Sequence, residues 1–312
     1  MNQDHYHGLL LRCAGLAPVP TAVVHPCEAG ALQGALEADE AGLITPILIG
    51  PRRKIEATAD AAGLDIAHLP LEAVEHSHAA AARGVELVRE GRAELLMKGS
   101  LHTDELLQAV TARDTGLRTA RRLSHVYAMN VPSYHKPLFV TDAAVNIFPS
   151  LDDKADICRN AIDLLHVLGI ERPKLALLSA VETVTAKLPS TLEAAALVVM
   201  ALRGQIEGGL LDGPLAFDNA INAEAARVKG IRSEVAGDPD ILLAPDLEAG
   251  NILAKQLIYL AGAEAAGIVL GARVPIVLTS RADGPRVRIA SCALGLLLAE
   301  ARRMALAAEA LA

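Results

Sequence analysis

Val274-Pro275-Ile276-Val277-Leu278 runs directly into Thr279-Ser280-Arg281-Ala282-Asp283-Gly284. The leading residues are apolar and bounded by Pro and Gly, which predicts a buried strand over Pro275–Thr279. A hydroxyl, a guanidinium and a carboxylate follow in quick succession at its carboxyl end, the end where α/β sheets bind ligands. Arg offers a planar donor fork for phosphate or carboxylate. Asp can accept a proton, and Ser can donate to developing negative charge. The same residues equally suit a solvated surface turn, so the remainder of the chain has to decide.

Working outward, short apolar runs alternate with longer amphipathic ones. Strands are predicted over 45–49, 94–97, 124–129, 138–141, 175–178, 209–211, 241–244 and 267–270. Helices are predicted over 28–41, 74–90, 103–110, 152–168, 191–203, 220–229, 250–261 and 285–308. Such alternation is the signature of a parallel or mostly parallel sheet with flanking helices. The chain has 312 residues, 52% of them hydrophobic and only 2% aromatic, so the core must come from Leu, Ile, Val and Ala. That composition suits parallel strands under Ala-rich helices.

A formal net charge of −8 argues against nucleic acid as a partner, because phosphate-backbone binding needs a broad basic patch. A local Arg/Lys cluster can still hold a small polyanion. Cys13, Cys27, Cys158 and Cys292 are too scattered for a zinc or C-x-x-C pattern, and read as reduced, buried thiols. The Gly8-Leu9-Leu10-Leu11 run is cut by Arg12 and is too short for a signal peptide or membrane span. A cytoplasmic location is the expectation. No G-x-G-x-x-G, H-E-x-x-H or acidic metal cluster is seen, so neither a metal nor an electron-carrying cofactor is expected.

Several segments stand together: Met97-Lys98-Gly99-Ser100, Gly116-Leu117-Arg118-Thr119, Leu123-Ser124-His125-Val126, Thr141-Asp142-Ala143-Ala144 and Leu178-Ser179-Ala180-Val181-Glu182. Asp212-Gly213-Pro214-Leu215-Ala216-Phe217-Asp218-Asn219-Ala220 and Pro245-Asp246-Leu247-Glu248-Ala249-Gly250-Asn251 follow, then the 279–284 stretch. In this order and spacing the chain resembles the phosphate acetyltransferase and phosphate butyryltransferase family, in wording closer to the butyryltransferase branch. The resemblance covers roughly residues 95 to 285.

The resemblance implies two α/β domains like those of isocitrate and isopropylmalate dehydrogenases, with the active site in the cleft between them. Domain one would comprise 1–149 and 272–312, and domain two 150–271, the chain crossing near Asn146–Ser150 and returning near Gly271–Arg273. It implies the reaction acyl-CoA + phosphate ⇌ acyl phosphate + CoA on a short acyl group, with coenzyme A as substrate or product, in a homodimer or higher homo-oligomer.

Ser280, Arg281 and Asp283 are the expected catalytic residues. Lys98, Ser100, Arg118, Ser124, Asn219 and Asn251 are the expected phosphate or CoA contacts. Structural readings stand beside these: a strand–helix turn for Lys98–Ser100, solvated cations for Arg121 and Arg122, a structural histidine for His125, and an N-cap for Asp218 or Asn219. In acetyltransferases the acid–base Asp lies further beyond the Ser-Arg pair than Asp283 does, where Val287 and Arg288 stand here. Alternatives are an NAD- and metal-dependent dehydrogenase of the same fold and a non-catalytic acyl-CoA-binding module.

Overall fold

The computed structural model describes residues 5–278 and 284–311. Up to Ala120 the chain forms α1 (His5–Cys13), β1 (Val19–Val24), α2 (Ala29–Glu40), β2 (Ile44–Gly50), α3 (Arg52–Ala62), β3 (Leu71–Ala73), α4 (Ser77–Arg89), β4 (Leu95–Lys98) and α5 (Thr103–Thr111). Next come β5 (Ser124–Asn130), β6 (Leu138–Thr141), α6 (Leu151–Val167), β7 (Lys174–Leu178), α7 (Pro189–Leu202) and β8 (Leu210–Leu215). Short helices α8 (Phe217–Ile221) and α9 (Ala223–Val228) lead to β9 (Ile241–Leu243) and α10 (Leu247–Tyr259). The chain finishes with β10 (Glu264–Leu270), β11 (Ile276–Val277) and the long α11 (Pro285–Leu311).

Two compact units result. Among the described residues, Arg121–Ala265 forms one, which is continuous; residues 5–120 join those from Ala266 onward to form the other, which is discontinuous. Compactness divides the chain at 120/121 and 265/266, and Pro149-Ser150, at the end of the crossing segment expected near Asn146–Ser150, lie within the continuous unit. Those residues lead into α6: Ser150 and Asp153 exchange hydrogen bonds in a capping box at its start.

The discontinuous unit orders its strands β3-β2-β1-β4-β11-β10. All its strand pairs are parallel except β10–β11. Val23, Ile49, Leu96 and Met97 are fully buried along these strands, consistent with a sheet covered on both faces. α11 packs so closely that a Cβ on Gly295 would lie 2.8 Å from the Leu95 methyls. The continuous unit orders its strands β5-β6-β9-β7-β8, antiparallel only at β5–β6. Val140, Ala176, Leu215 and Leu242 form its core with Leu253, Ala254 and Leu257 from α10. Each unit is mixed α/β with mostly parallel strands and flanking helices. Among the described residues no helix is long and apolar enough to cross a membrane.

Candidate active site

In the discontinuous unit the carboxyl ends of β1 and β4 are stitched together. Gly99 and Ser100 donate their amides to the carbonyls of Val24 (2.9 Å) and His25 (2.9 Å). The Ser100 hydroxyl donates to the His25 carbonyl at 2.8 Å, lies 3.3 Å from His25 Nδ1, and accepts the Cys27 amide at 3.1 Å. A Cβ on Gly99 would lie 2.5 Å from the oxygens of both Val24 and His25, so no side chain fits there. His25 itself sits at φ 56°, a left-handed conformation that a residue before proline rarely adopts. Burial and the nearby Lys54 charge lower its pKa, so the imidazole is neutral at pH 7.

Lys98 ends β4 with only 8% of its surface exposed. Its ammonium donates to the Gly99 carbonyl at 3.3 Å. Val277 of β11 pairs with Met97, so the chain arrives at Leu278 alongside Lys98. Ser280, Arg281 and Asp283 lie outside the described residues. Arg118 is placed by backbone contacts on both sides: it bridges Ala272, while Leu117 accepts the Arg273 amide at 2.9 Å. Its side chain is exposed and enters no ion pair among the described residues.

In the continuous unit, Ser124 and Asn251 come to one end of the sheet. β5 runs antiparallel to β6, so Ser124 at its start lies beside the carboxyl end of β6. Its fully buried hydroxyl accepts from Asn160 Nδ2 at 2.8 Å. Asn251 Nδ2 donates to the Ala143 carbonyl at 3.0 Å. Between them Asp142 is nearly buried. Its carboxylate accepts the amides of Ala144 (2.9 Å), Val145 (3.0 Å) and Asn146 (3.2 Å), and the Asn146 side chain at 2.6 Å. Burial nonetheless raises its pKa. Asp142 stands within a motif segment whose chemistry its sequence does not declare; the run of small residues after it is the signal for a carboxylate collecting amides.

His125 is also fully buried, and among the described residues neither ring nitrogen has a hydrogen-bond partner. Its ring meets Tyr127 edge-on at 4.3 Å, and burial lowers its pKa to about 3. Arg121 and Arg122 are not simply solvated, since they face Asp163 and Asp153, and Arg122 Nε donates to Asn146 at 2.8 Å.

Asn219 belongs to a separate cluster after β8. Its Nδ2 donates to Glu182 at 3.1 Å while Oδ1 is buried with no partner among the described residues. Lys229 bridges Glu182 (3.2 Å) and Asp218 (3.0 Å). The pKa of Glu182 is lowered by its own backbone amide first and then by Lys229, that of Asp218 is lowered by its bond to Lys229, and that of Lys229 is raised by its bond to Asp218. The structure therefore gathers Lys98 and Ser100 at one strand end and Ser124 and Asn251 at another, with Asn219 on its own. Among the described residues no group of three or more His, Cys, Asp or Glu could hold a metal.

Residues 70–294 match the family model described as Phosphate acetyl/butaryl transferase. A phosphate acetyltransferase from Rhizobium meliloti is 61% identical over 300 residues, covering 96% of this chain and 95% of that protein. A phosphate butyryltransferase from Clostridium acetobutylicum is 41% identical over 268 residues, covering 86% and 89%. Over these lengths identity is higher to the acetyl-named relative, although the motif wording leaned toward the butyryl branch. The crystal structure of a branched-chain phosphotransacylase from Enterococcus faecalis V583 superposes with a TM-score of 0.76 at 29% identity, covering 90% of this chain and 99% of that one. On the motif segments, the family match and the two relatives, this chain belongs to the phosphate acetyl/butaryl transferase family.

Proposed function

We propose that the chain catalyses acyl-CoA + phosphate ⇌ acyl phosphate + CoA on acyl groups from acetyl to butyryl. The family match across most of the chain carries this reading. A phosphate oxygen attacks the thioester carbonyl carbon, the C–S bond breaks, and the departing sulfur takes a proton. The chemistry needs two anions brought together, a donor to the carbonyl oxygen as it gains charge, and a group that exchanges the thiol proton.

Arg118 supports the first requirement, as an exposed guanidinium fixed by backbone pairing on both sides. Arg281 would share the phosphate, Ser280 would donate to the sulfur or the oxyanion, and Asp283 would exchange the proton. A thiol with a pKa of about 8.5 is mostly protonated at neutrality, so the reverse direction needs such a base. Lys98, Ser100, Ser124, Asn219 and Asn251 serve as substrate contacts or as supports for the backbone that makes them. Neither a metal nor a redox cofactor takes part, and the enzyme works as a homo-oligomer in the cytoplasm. A likeness of the fold of each unit to that of isocitrate dehydrogenases completes the proposal.

Phosphate-dependent thiol release, followed with a chromogenic disulfide over two- to six-carbon acyl-CoAs, tests the reading. Release is expected only with phosphate or arsenate, and without NAD or magnesium. Equal release in the absence of phosphate would mark a thioesterase. Binding without turnover would mark an acyl-CoA-binding module, and an NAD and metal requirement a dehydrogenase. Each buried methylene contributes about 0.8 kcal/mol, so activity should change only a few-fold per carbon up to the limit of the acyl pocket.

A further inference from the structure

Arg288 sits in the first turn of α11 with 9% of its surface exposed. Its side chain lies across α2, over two glycines one helical turn apart. A Cβ on Gly34 would lie 2.5 Å from Arg288 Cδ, and one on Gly30 would lie 3.1 Å from Nη2 and 3.8 Å from Nη1. The stem therefore crosses α2 at Gly34, and the guanidinium comes to rest over Gly30 in the first turn. Side chains at 30 and 34 would bar this course.

That end of α2 is electrically positive. α2 has 12 residues, and its N-cap Glu28 makes no capping hydrogen bond from its side chain. The Ala31 and Leu32 amides turn back to the Glu28 carbonyl, at 3.1 Å each. The amides of Ala29 and Gly30 have no acceptor among the described residues. No described carboxylate or carbonyl accepts from the Arg288 guanidinium either. A nine-tenths buried cation at the positive end of a helix is unfavourable twice over, by desolvation and by the dipole. One oxyanion removes both penalties, accepting from the fork and from the amides together. Ala29 is exposed and Gly30 half-buried, so such a group has access from solvent.

We propose that Arg288, with the first-turn amides of Ala29 and Gly30, forms a phosphoryl-binding subsite. The choice of phosphoryl over carboxylate rests on the proposed function, in which both substrates carry phosphate. Inorganic phosphate and the phosphates of CoA share this chemistry, and the test separates them.

Calorimetric titrations of the full chain with inorganic phosphate, CoA and dephospho-CoA are compared for wild type, Arg288→Met, Arg288→Lys and Gly30→Ala. Removing a buried charged donor should weaken the occupant about ten- to hundredfold in Arg288→Met. Lys should recover part, because a point charge lacks the fork. Gly30→Ala, whose Cβ would crowd Nη2 at 3.1 Å, should weaken binding by shifting the guanidinium while keeping its charge. Loss of inorganic phosphate binding identifies that ion as the occupant. Loss of CoA but not dephospho-CoA identifies the 3′-phosphate, and equal loss of both identifies the diphosphate bridge. If the arginine variants and Gly30→Ala, folded by their melting profiles, bind all three within twofold of wild type, the subsite is overturned. Thiol release by the same wild-type preparation is scored separately. Its absence would defeat the proposed reaction, while the titrations would still decide the subsite.

Discussion

Between pH 7 and pH 5, lowering the pH should destabilise this protein chiefly through one side chain, His125. Fully buried, without a partner for either ring nitrogen, it stays neutral down to a pKa of about 3. In the unfolded chain an ordinary histidine titrates near 6.5. Between those values the unfolded state binds one more proton than the folded one, so stability falls as pH falls through that window. Each pH unit well inside it is worth about 1.4 kcal/mol, so moving from pH 7 to pH 5 should remove about 2 kcal/mol. Asp142 pulls the other way, because its raised pKa lets the folded state take up a proton first.

Comparison with His125→Leu isolates the histidine. Leucine has nearly the same volume and leaves the backbone around Asp142 intact. At pH 7 the variant should be as stable as wild type, or about 1 kcal/mol more so. Relief of two unpaired nitrogens outweighs the lost edge-on contact with Tyr127. Urea unfolding followed by circular dichroism at half-unit steps from pH 7.5 to 5 measures the difference. The two curves should diverge by about 2 kcal/mol at pH 5. Parallel curves would refute the reasoning, because they would mean that His125 finds a partner or water that carries its charge.

Other outcomes follow from the same contacts. Arg118→Ala and Arg281→Ala should each lower kcat/KM by about 10²–10³ with an unchanged melting temperature, and Arg→Lys should recover only part. Asp283→Asn should slow the direction starting from acyl phosphate and CoA most, and the deficit should shrink as pH rises toward the thiol pKa; a wild-type pH–rate profile would remove Asp283 from proton exchange. Gly99→Ala should destabilise by about 2–3 kcal/mol, read as a lower urea midpoint, since two backbone carbonyls must retreat. Asp238 is partly buried, which pushes its pKa up, but Lys174 and Lys136 overcome this and bring it down to about 2. Its stabilisation is therefore present above pH 4 and lost toward pH 2. The melting gap between wild type and Asp238→Asn should close over that interval.

Legibility in the sequence followed burial. Apolar runs such as Leu175–Leu178 declared their strands because parallel sheets bury both faces. β1 escaped notice because Pro20 stands inside it. Near the strand's start that proline lacks an amide but still accepts from Glu94 at 2.8 Å. α3 escaped notice because Arg52-Arg53-Lys54 opens it and only Ile55 and Ala59 are buried. The helix expected over 220–229 is two, because Asn222 ends α8 and caps α9 by accepting the Ala225 amide. Site residues were legible as types and positions, not as partners. Nothing local in Ser124 or Asn251 reveals bonds to Asn160 and Ala143, which come from distant parts of the chain. Arg288 drew attention only as a mismatch with a motif; its course over Gly30 and Gly34 required the two helices to be packed.

The discontinuous unit also constrains how the protein is made. β11 lies beside β4, yet it is synthesised only after the whole of Arg121–Ala265. Until then, one long edge of β4 has no partner within that unit, and α1 lacks the helix that covers Cys13. The continuous unit carries no such debt: its strands and helices emerge from the ribosome in one stretch and can condense at once. Synthesis should therefore complete the middle of the chain first and leave the early residues exposed to chaperones and to strand-edge aggregation. The early residues become safe only when β11 and α11 arrive.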